Sequence, residues 1–550
     1  MTPTRGRPAA GSATRPIVAP AALRRADILL MAAICVGILG AVLVPQLRSL
    51  YPFTYDELVY LNKTRTYDAW LAGRLADEHG MPLGVLTRDG IEAAEALQDM
   101  HPGLVKLVGV IPHRLVRAAL GIEGGARMTG ALFLAIGACA LYWMIVGTAG
   151  RFWAVVAALG LASVPRVFGH AHFHALDVPV MSMSLLAAGA FYYAVQQNRW
   201  APALVSGLLV GLALGTKLTA AALLIHFALW IAFRRPRGWV RAVCGLAVAP
   251  LAFLAVWPWL WPDLLGRLAR YVAFHSDHFI IGTTYLGTAY GDTTTAPWHY
   301  PVVMLLLTLP FTWTLAGLGG IAGRALGRLP APAGFLALGV VANVLLLALP
   351  GATRYGGMRL ILSVYPFAVG FAVLAVAGLL RAGGETARPV LAAGAAAVAL
   401  LAPGIVGCVT HYPYCLSYYT PPLGLHGAAR LGMEVTYWGD AFGGAREFMS
   451  RPENADARFY ASNELATGVI DALIAGGEIP PQHRMLSFFI KDDIPPDADF
   501  ILVDNHPPMW PDAVQGLTLS ATPCATVRLD RVPLLWVFEG PARARADVGD

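Results

Sequence analysis

The sequence predicts a mainly α fold: a polytopic membrane helical bundle of about 11 transmembrane helices, with amphipathic outer-loop helices and a small C-terminal α/β soluble domain. Three observations carry this reading. Hydrophobic residues make up 57% of the 550-residue chain and charged residues only 13%, where soluble proteins carry about 25%. Apolar runs of bilayer length recur as far as residue 410. The charge then changes sign, because residues 411–550 hold 18 of the 34 acids but only 10 of the 40 bases.

The elements follow in order. Residues 1–25, rich in Arg, Pro and Ala, read as a disordered cytoplasmic N-terminus. Arg5, Arg7, Arg15, Arg24 and Arg25 precede the run Ala26–Leu47, and positive residues stay on the cytoplasmic side. That run exceeds the usual signal-peptide core of about 7–15 apolar residues, so it reads as a retained first helix. A helix crossing about 30 Å of hydrocarbon needs about 20 residues. Ten further candidates lie near 128–148, 152–168, 176–195, 201–216, 218–233, 242–260, 299–322, 333–350, 358–380 and 388–410. Arg234, Arg235, Arg237 and Arg241 follow the sixth run, Arg324 and Arg328 the eighth, and Arg381 and Arg388 flank the turn after the tenth. Each group falls inside if the N-terminus is inside, and an odd count exports residues 411–550. The membrane domain is thus 26–410, its first outer loop 48–127, and its expected home the inner (plasma) membrane.

The exported segment alternates strand-like runs at Arg458–Ser462, Phe500–Asp504 and Leu534–Glu539 with helix-like Ala441–Met449 and Glu464–Ala475. It holds Cys415 and Cys524, which could pair in an oxidising compartment. The sequence pI near 9.0 invites a nucleic-acid reading. The basic surplus lies largely in short loops, however, where it sets topology, so membrane lipids are the expected partner and nucleic acid is not.

Five clusters on the outer face bear chemistry. Asp56 and Glu57 follow the first membrane exit, and a carboxylate near a reacting hydroxyl serves as general base. Solvated loop acids, or a helix cap by Asp56, are the plain alternatives. His101-Pro102-Gly103-Leu104-Val105-Lys106 makes a turn whose lysine faces a phosphate, neutralises the acidic pair or merely snorkels. In His170-Ala171-His172-Phe173-His174-Ala175-Leu176-Asp177-Val178-Pro179, Asp177 either caps the next helix or serves a site. Alternate histidines diverge on a helix, which argues against a metal there. Gly215-Thr216-Lys217 holds one of four lysines in the chain, and an intramembrane cation is by default a functional candidate. Arg354 and Arg359 flank Tyr355-Gly356-Gly357, and arginine forks match phosphate oxygens.

Together these segments resemble the multi-spanning (C-type) glycosyltransferases of family 39, which include protein O-mannosyltransferases and the aminoarabinose transferases that modify lipid A. The acidic doublet of that family is matched by Asp56-Glu57. Its His-Pro-Pro-Leu-x-Lys segment is similar to His101 through Lys106, with Gly103 in place of the second proline. Its Phe-x-x-Leu-Asp-x-Pro segment is matched by Phe173 through Pro179, with His172 where an arginine commonly stands. Gly-Leu-x-x-x-Thr-Lys is matched by Gly211 through Lys217. Trp257-Pro258-Trp259-Leu260-Trp261 and Tyr437-Trp438-Gly439 resemble segments of uncharacterised bacterial members.

The resemblance implies inverting transfer of a sugar from a polyprenyl-phosphate donor to an acceptor hydroxyl on the outer, periplasmic face. It implies Asp56 as base, with Glu57 positioning the acceptor. Lys217, Arg359 and Arg354 would neutralise the lipid phosphate, while His101, Lys106, Asp177 and His172 line the site. The acceptor class (protein, glycolipid or polysaccharide) stays open. The lipid phosphate is itself the activated leaving group, so no nucleotide site is needed, and a divalent cation is possible. The rival classes are a flippase for lipid-linked sugars, which calls for broken helices and internal symmetry, and a receptor or scaffold acting through its external domain.

Overall fold

The computed structural model describes residues 23–46, 53–97, 99–278, 281–291, 294–325, 327–383, 389–462, 485–486 and 494–546. Most of the expected disordered N-terminus and the expected helix 464–475 lie outside the described residues. The chain opens with α1 (Arg25–Gln46), α2 (Tyr55–Leu71), the short α3 (Arg88–Ala94), α4 (Leu104–Ala149), α5 (Arg151–Ala162), α6 (Pro165–His170), α7 (Asp177–Gln197) and α8 (Trp200–Leu214). It continues through α9 (Ala222–Arg234), α10 (Trp239–Gly245), α11 (Ala249–Ala255), α12 (Leu264–Ser276), α13 (Tyr300–Thr308), α14 (Phe311–Ala325), α15 (Ala331–Ala348), α16 (Val364–Ala382) and α17 (Pro389–His411).

Each of the eleven expected spans falls on an apolar helix or a broken pair of them. Among the described residues, six helices are long and apolar enough to cross a membrane, or seven if α13 and α14 form one bent span. The remaining four, Arg151–Ala162, Trp200–Leu214, Leu218–Arg234 and Trp239–Ala255, are shorter. The chain is therefore a polytopic membrane protein. The shortfall from eleven has local causes. Pro310 follows α13, where the helix pair bends by 117°. Gly121 takes φ 73° inside α4, where only Gly124–Ala149 keeps span character.

The first loop is more helical than its sequence suggested. Its polar residues 55–71 form α2, packed on α4. Farther along the loop α3 ends at Ala94, with Ile91 and Ala94 buried. A small-residue stripe fixes α8. A Cβ on Gly207 would stand 2.0 Å from the Gly245 carbonyl, and one on Gly211 2.1 Å from that of Ala249. Backbones meet closely there, as small residues allow in membranes. This contact seats the end of α8, after which Gly215-Thr216-Lys217 leaves the helix.

The C-terminal region builds a five-stranded sheet from β3 (Phe459–Ala461), β4 (Met485–Leu486), β5 (Phe500–Asp504), β6 (Ala525–Leu529) and β7 (Val532–Glu539), in the order β4-β3-β5-β7-β6. An earlier hairpin, β1 (Thr283–Tyr285) and β2 (Thr288–Tyr290), lies in the loop before α13. Strand β5 is buried along its whole length, as its apolar run Phe500–Val503 requires. The expected helix 441–449 begins as a 3₁₀ turn over Asp440–Ala445 and becomes α only at Arg446–Met449. Cys415 and Cys524 do not pair: both thiols are free, the first buried and the second exposed.

Gly211→Leu should abolish monodisperse elution from detergent, since its side chain would need the space of the Ala249 carbonyl. Gly317→Leu, at a helical glycine with nothing within 4 Å, should elute and melt as the parent does.

Candidate active site

Helix periodicity separates the acidic doublet. Successive residues of an α-helix point about 100° apart, so Asp56 and Glu57 at the start of α2 face different surroundings. Glu57 turns inward and is 1% exposed. Arg127 grips it in a bidentate fork at 2.7 and 2.8 Å, and the His174 backbone N–H donates to it at 2.8 Å. Glu57 thus ties α2 to α4 and to the segment before α7, and its carboxylate is saturated. It does not share the surroundings of Asp56, contrary to the expectation that it would position an acceptor.

Asp56 keeps 32% of its side chain exposed. Its Oδ2 accepts from Arg359 Nη2 at 2.5 Å and from the Trp438 indole N–H at 3.1 Å. Its Oδ1 has no hydrogen-bond partner among the described residues. Arg359 enters from the 3₁₀ turn Arg359–Ile361 before α16, and its guanidinium lies 4.7 Å from the Trp438 ring centroid. Gly356 and Gly357, both left-handed with φ 63° and 60°, make the turn that delivers it.

A second ion pair adjoins the first. Asp177 occupies the first position of α7 but makes no side-chain cap. Its carboxylate accepts instead from Lys217 Nζ at 2.7 Å, both groups buried. His170 Nδ1 lies 3.9 Å from the other Asp177 oxygen, and its ring centroid is 5.0 Å from that of Trp438. His170 and Trp438 thus lie between the Asp56–Arg359 and Asp177–Lys217 pairs.

Lys217 also lines a cavity of about 370 Å³ with His101, His275, His278, Thr219, Thr353 and Tyr355 on its polar side. Leu218, Leu346, Leu347 and Leu360 form much of its apolar side. The His101, His275, His278 and Tyr355 rings follow one another at centroid spacings of 6.0, 6.3 and 6.0 Å. Burial pushes His101 down to about 3 and His275 down to about 4, so both are neutral near pH 7. An apolar cavity with one ammonium and several neutral polar rings suits an anionic head group on a hydrocarbon chain.

The structure thus brings together Asp56, Arg359, Asp177, Lys217 and His101. The other expected residues stand apart. Lys106 is 1% exposed and is held by Asp99 at 2.7 and 2.9 Å and by the His101 carbonyl at 2.8 Å, so it does not reach the acidic pair. Arg354 spends its guanidinium on the carbonyls of Leu347, Ala296 and Leu349, which closes the loop before α16. His172 bonds the Phe168 carbonyl through Nδ1 and packs on Phe168 and Tyr412. Trp438, His170 and His275 carry more of the site than the motifs indicated. Only the Tyr437-Trp438-Gly439 segment had given a signal for the first.

Among the described residues no three His, Cys, Asp or Glu side chains are grouped to hold a metal ion. The exposed acid of the site is already neutralised by an arginine.

Residues 121–261 match the family model described as dolichyl-phosphate-mannose-protein mannosyltransferase. The resemblance to the multi-spanning family 39 glycosyltransferases, drawn from the motifs, is supported over this segment. It contains Asp177 and Lys217, whereas Asp56 and Arg359 lie outside it. Among solved structures, ArnT from Cupriavidus metallidurans bound to undecaprenyl phosphate is 14% identical with a TM-score of 0.48, over 94% of this chain and 98% of that one. The oligosaccharyltransferase AglB from Archaeoglobus fulgidus, in complex with an inhibitory peptide and a dolichol-phosphate, is 12% identical with a TM-score of 0.46, over 87% of this chain and 69% of that one. Comparison with curated proteins gives no match.

Glu57→Ala removes the carboxylate that Arg127 grips in a buried ion pair, which should cost about 3–5 kcal/mol. Thermal unfolding in detergent should show this as a clear fall in melting temperature. Asp56→Ala, which takes the carboxylate from the buried Arg359, should lower it as well.

Proposed function

We propose that the protein is a membrane glycosyltransferase, moving a sugar from a polyprenyl-phosphate donor to an acceptor hydroxyl on the outer face of the inner membrane. The observation that carries this reading is the pairing of an open carboxylate oxygen with an adjacent cation-lined cavity. Among the described residues Asp56 Oδ1 has no hydrogen-bond partner, while Oδ2 is fastened by Arg359 and Trp438. Lys217 waits beside it, in the wall of a cavity floored by leucines. The family match over residues 121–261 supports the same chemistry.

The reaction follows from these positions. The lipid phosphate sits by Lys217, with its hydrocarbon chain leaving along the apolar side. An acceptor hydroxyl approaches Asp56. Its oxygen attacks the anomeric carbon as its proton passes to Asp56 Oδ1. The bond from that carbon to the phosphate oxygen breaks on the opposite side, and the electron pair leaves with the phosphate. The product is inverted. Lys217 and Arg359 stabilise the charge that grows on the departing phosphate, in surroundings where water is scarce. Asp177 holds the Lys217 ammonium in place before the donor arrives. The neutral His101 ring offers hydrogen bonds to the sugar without adding charge. Residues 411–550 form the external domain in this reading.

The test uses purified protein, a polyprenyl-phospho-sugar and candidate acceptors, with released lipid phosphate as the readout. Asp56→Asn should lower turnover by about 10²–10⁴-fold while leaving polyprenyl-phosphate binding within about twofold. Lys217→Ala should weaken that binding by about tenfold or more, the worth of a charge-assisted contact. Full turnover by Asp56→Asn would remove the base assignment, and unchanged binding by Lys217→Ala would remove the donor cavity.

A further inference from the structure

We propose that Trp438, which follows the last membrane helix, is a positioning residue that completes the catalytic centre by setting the Asp56 carboxylate against Arg359. The inference rests on the reading of Asp56 as the base.

Trp438 makes two contacts to the centre at once. Its indole N–H donates to Asp56 Oδ2 at 3.1 Å, and its ring face receives the Arg359 guanidinium at 4.7 Å. An arginine stacked on an aromatic face keeps its planar fork in one orientation. With Oδ2 taken by two donors, the carboxylate cannot rotate freely, and Oδ1 is left as the oxygen that meets an incoming hydroxyl. A base must lie within hydrogen-bond reach of its proton, so a fixed rotamer bears directly on turnover.

Trp438 is itself immobilised. It is 1% exposed, with the His170 and Phe173 ring centroids at 5.0 and 5.7 Å. Its carbonyl accepts the Tyr55 backbone N–H at 3.2 Å, which joins it to the first residue of α2. Gly439 follows with φ 83°, and a Cβ there would stand 2.3 Å from the Tyr55 ring, so only glycine lets the segment close on α2. Tyr55 continues the link outward, its hydroxyl donating to buried Asp504 at the end of β5 at 3.2 Å. The C-terminal sheet thus holds the residue preceding the base, and Trp438 holds the base.

Trp438→Phe keeps an aromatic ring for Arg359 and removes the N–H together with part of the buried ring volume. Its kcat should fall about tenfold, the effect of one hydrogen bond to a charged group. The donor KM and polyprenyl-phosphate binding should stay within about twofold, because Lys217 and its cavity are untouched. A merely structural tryptophan would leave kcat per folded molecule unchanged whatever the change in melting temperature, which would overturn the proposal. Thermal melting of Trp438→Phe, Asp56→Ala and the double variant supplies a check that needs no turnover. The two losses should be non-additive, the double variant melting no lower than the worse single one. Strict additivity would overturn the contact. Coupled melting in a protein that transfers no sugar from any donor would leave Trp438 positioning Asp56 and sink the glycosyltransferase reading instead.

Discussion

Matched burial of charge is the constraint on which this structure depends. A cation placed in apolar surroundings is tolerated only with a partner. Of the four lysines in the sequence, Lys63, Lys106 and Lys217 are each buried against a carboxylate, namely Glu95, Asp99 and Asp177. Arg127 is buried against Glu57 in the same way. The Arg359–Asp56 pair differs because its acid is partly exposed and one oxygen has no hydrogen-bond partner among the described residues. Saturated pairs fasten helices together. Asp56 keeps an exposed carboxylate edge, and Lys217, although paired, also borders the cavity.

These pairs also explain how distant parts of the chain meet. Arg359 reaches Asp56 across 303 residues, and Trp438 reaches it across 382. Lys217 reaches Asp177 because glycines let α8 press against α10 and α11, and because the chain leaves the helix at Gly215. The cavity beside Lys217 takes walls from the first loop, from α12 and from the loop before α16. Its polar rings come from segments that share no sequence motif.

Much of the membrane architecture was legible because hydrophobicity is a local property. All eleven apolar runs became helices or broken helix pairs. The strands at 459–461, 500–504 and 532–539 were visible as short apolar runs between polar turns. Residues 55–71 were not legible, because a polar helix buried against other helices leaves no apolar period of its own. Asp56, Lys217, Arg359, Asp177 and His101 were legible as candidates by charge and residue type. Partnership was not. Nothing local shows that Lys106 belongs to Asp99, or that Arg354 satisfies three backbone carbonyls. The adjacency of Asp56 and Glu57 invited a shared role, and the 3.6-residue turn of α2 gives them separate ones. Trp438 contributes through an indole N–H and a ring face, which carry no charge signature in a sequence.

The most direct test is an experimental structure of the protein in lipid nanodiscs with polyprenyl phosphate bound. The account predicts the phosphate group within ion-pair distance of Lys217, on the side of the cavity facing Asp56 and Arg359, with the isoprenoid chain along Leu346, Leu347 and Leu360. A phosphate bound elsewhere, with Lys217 still closed on Asp177 and Asp56 remote from it, would contradict the account.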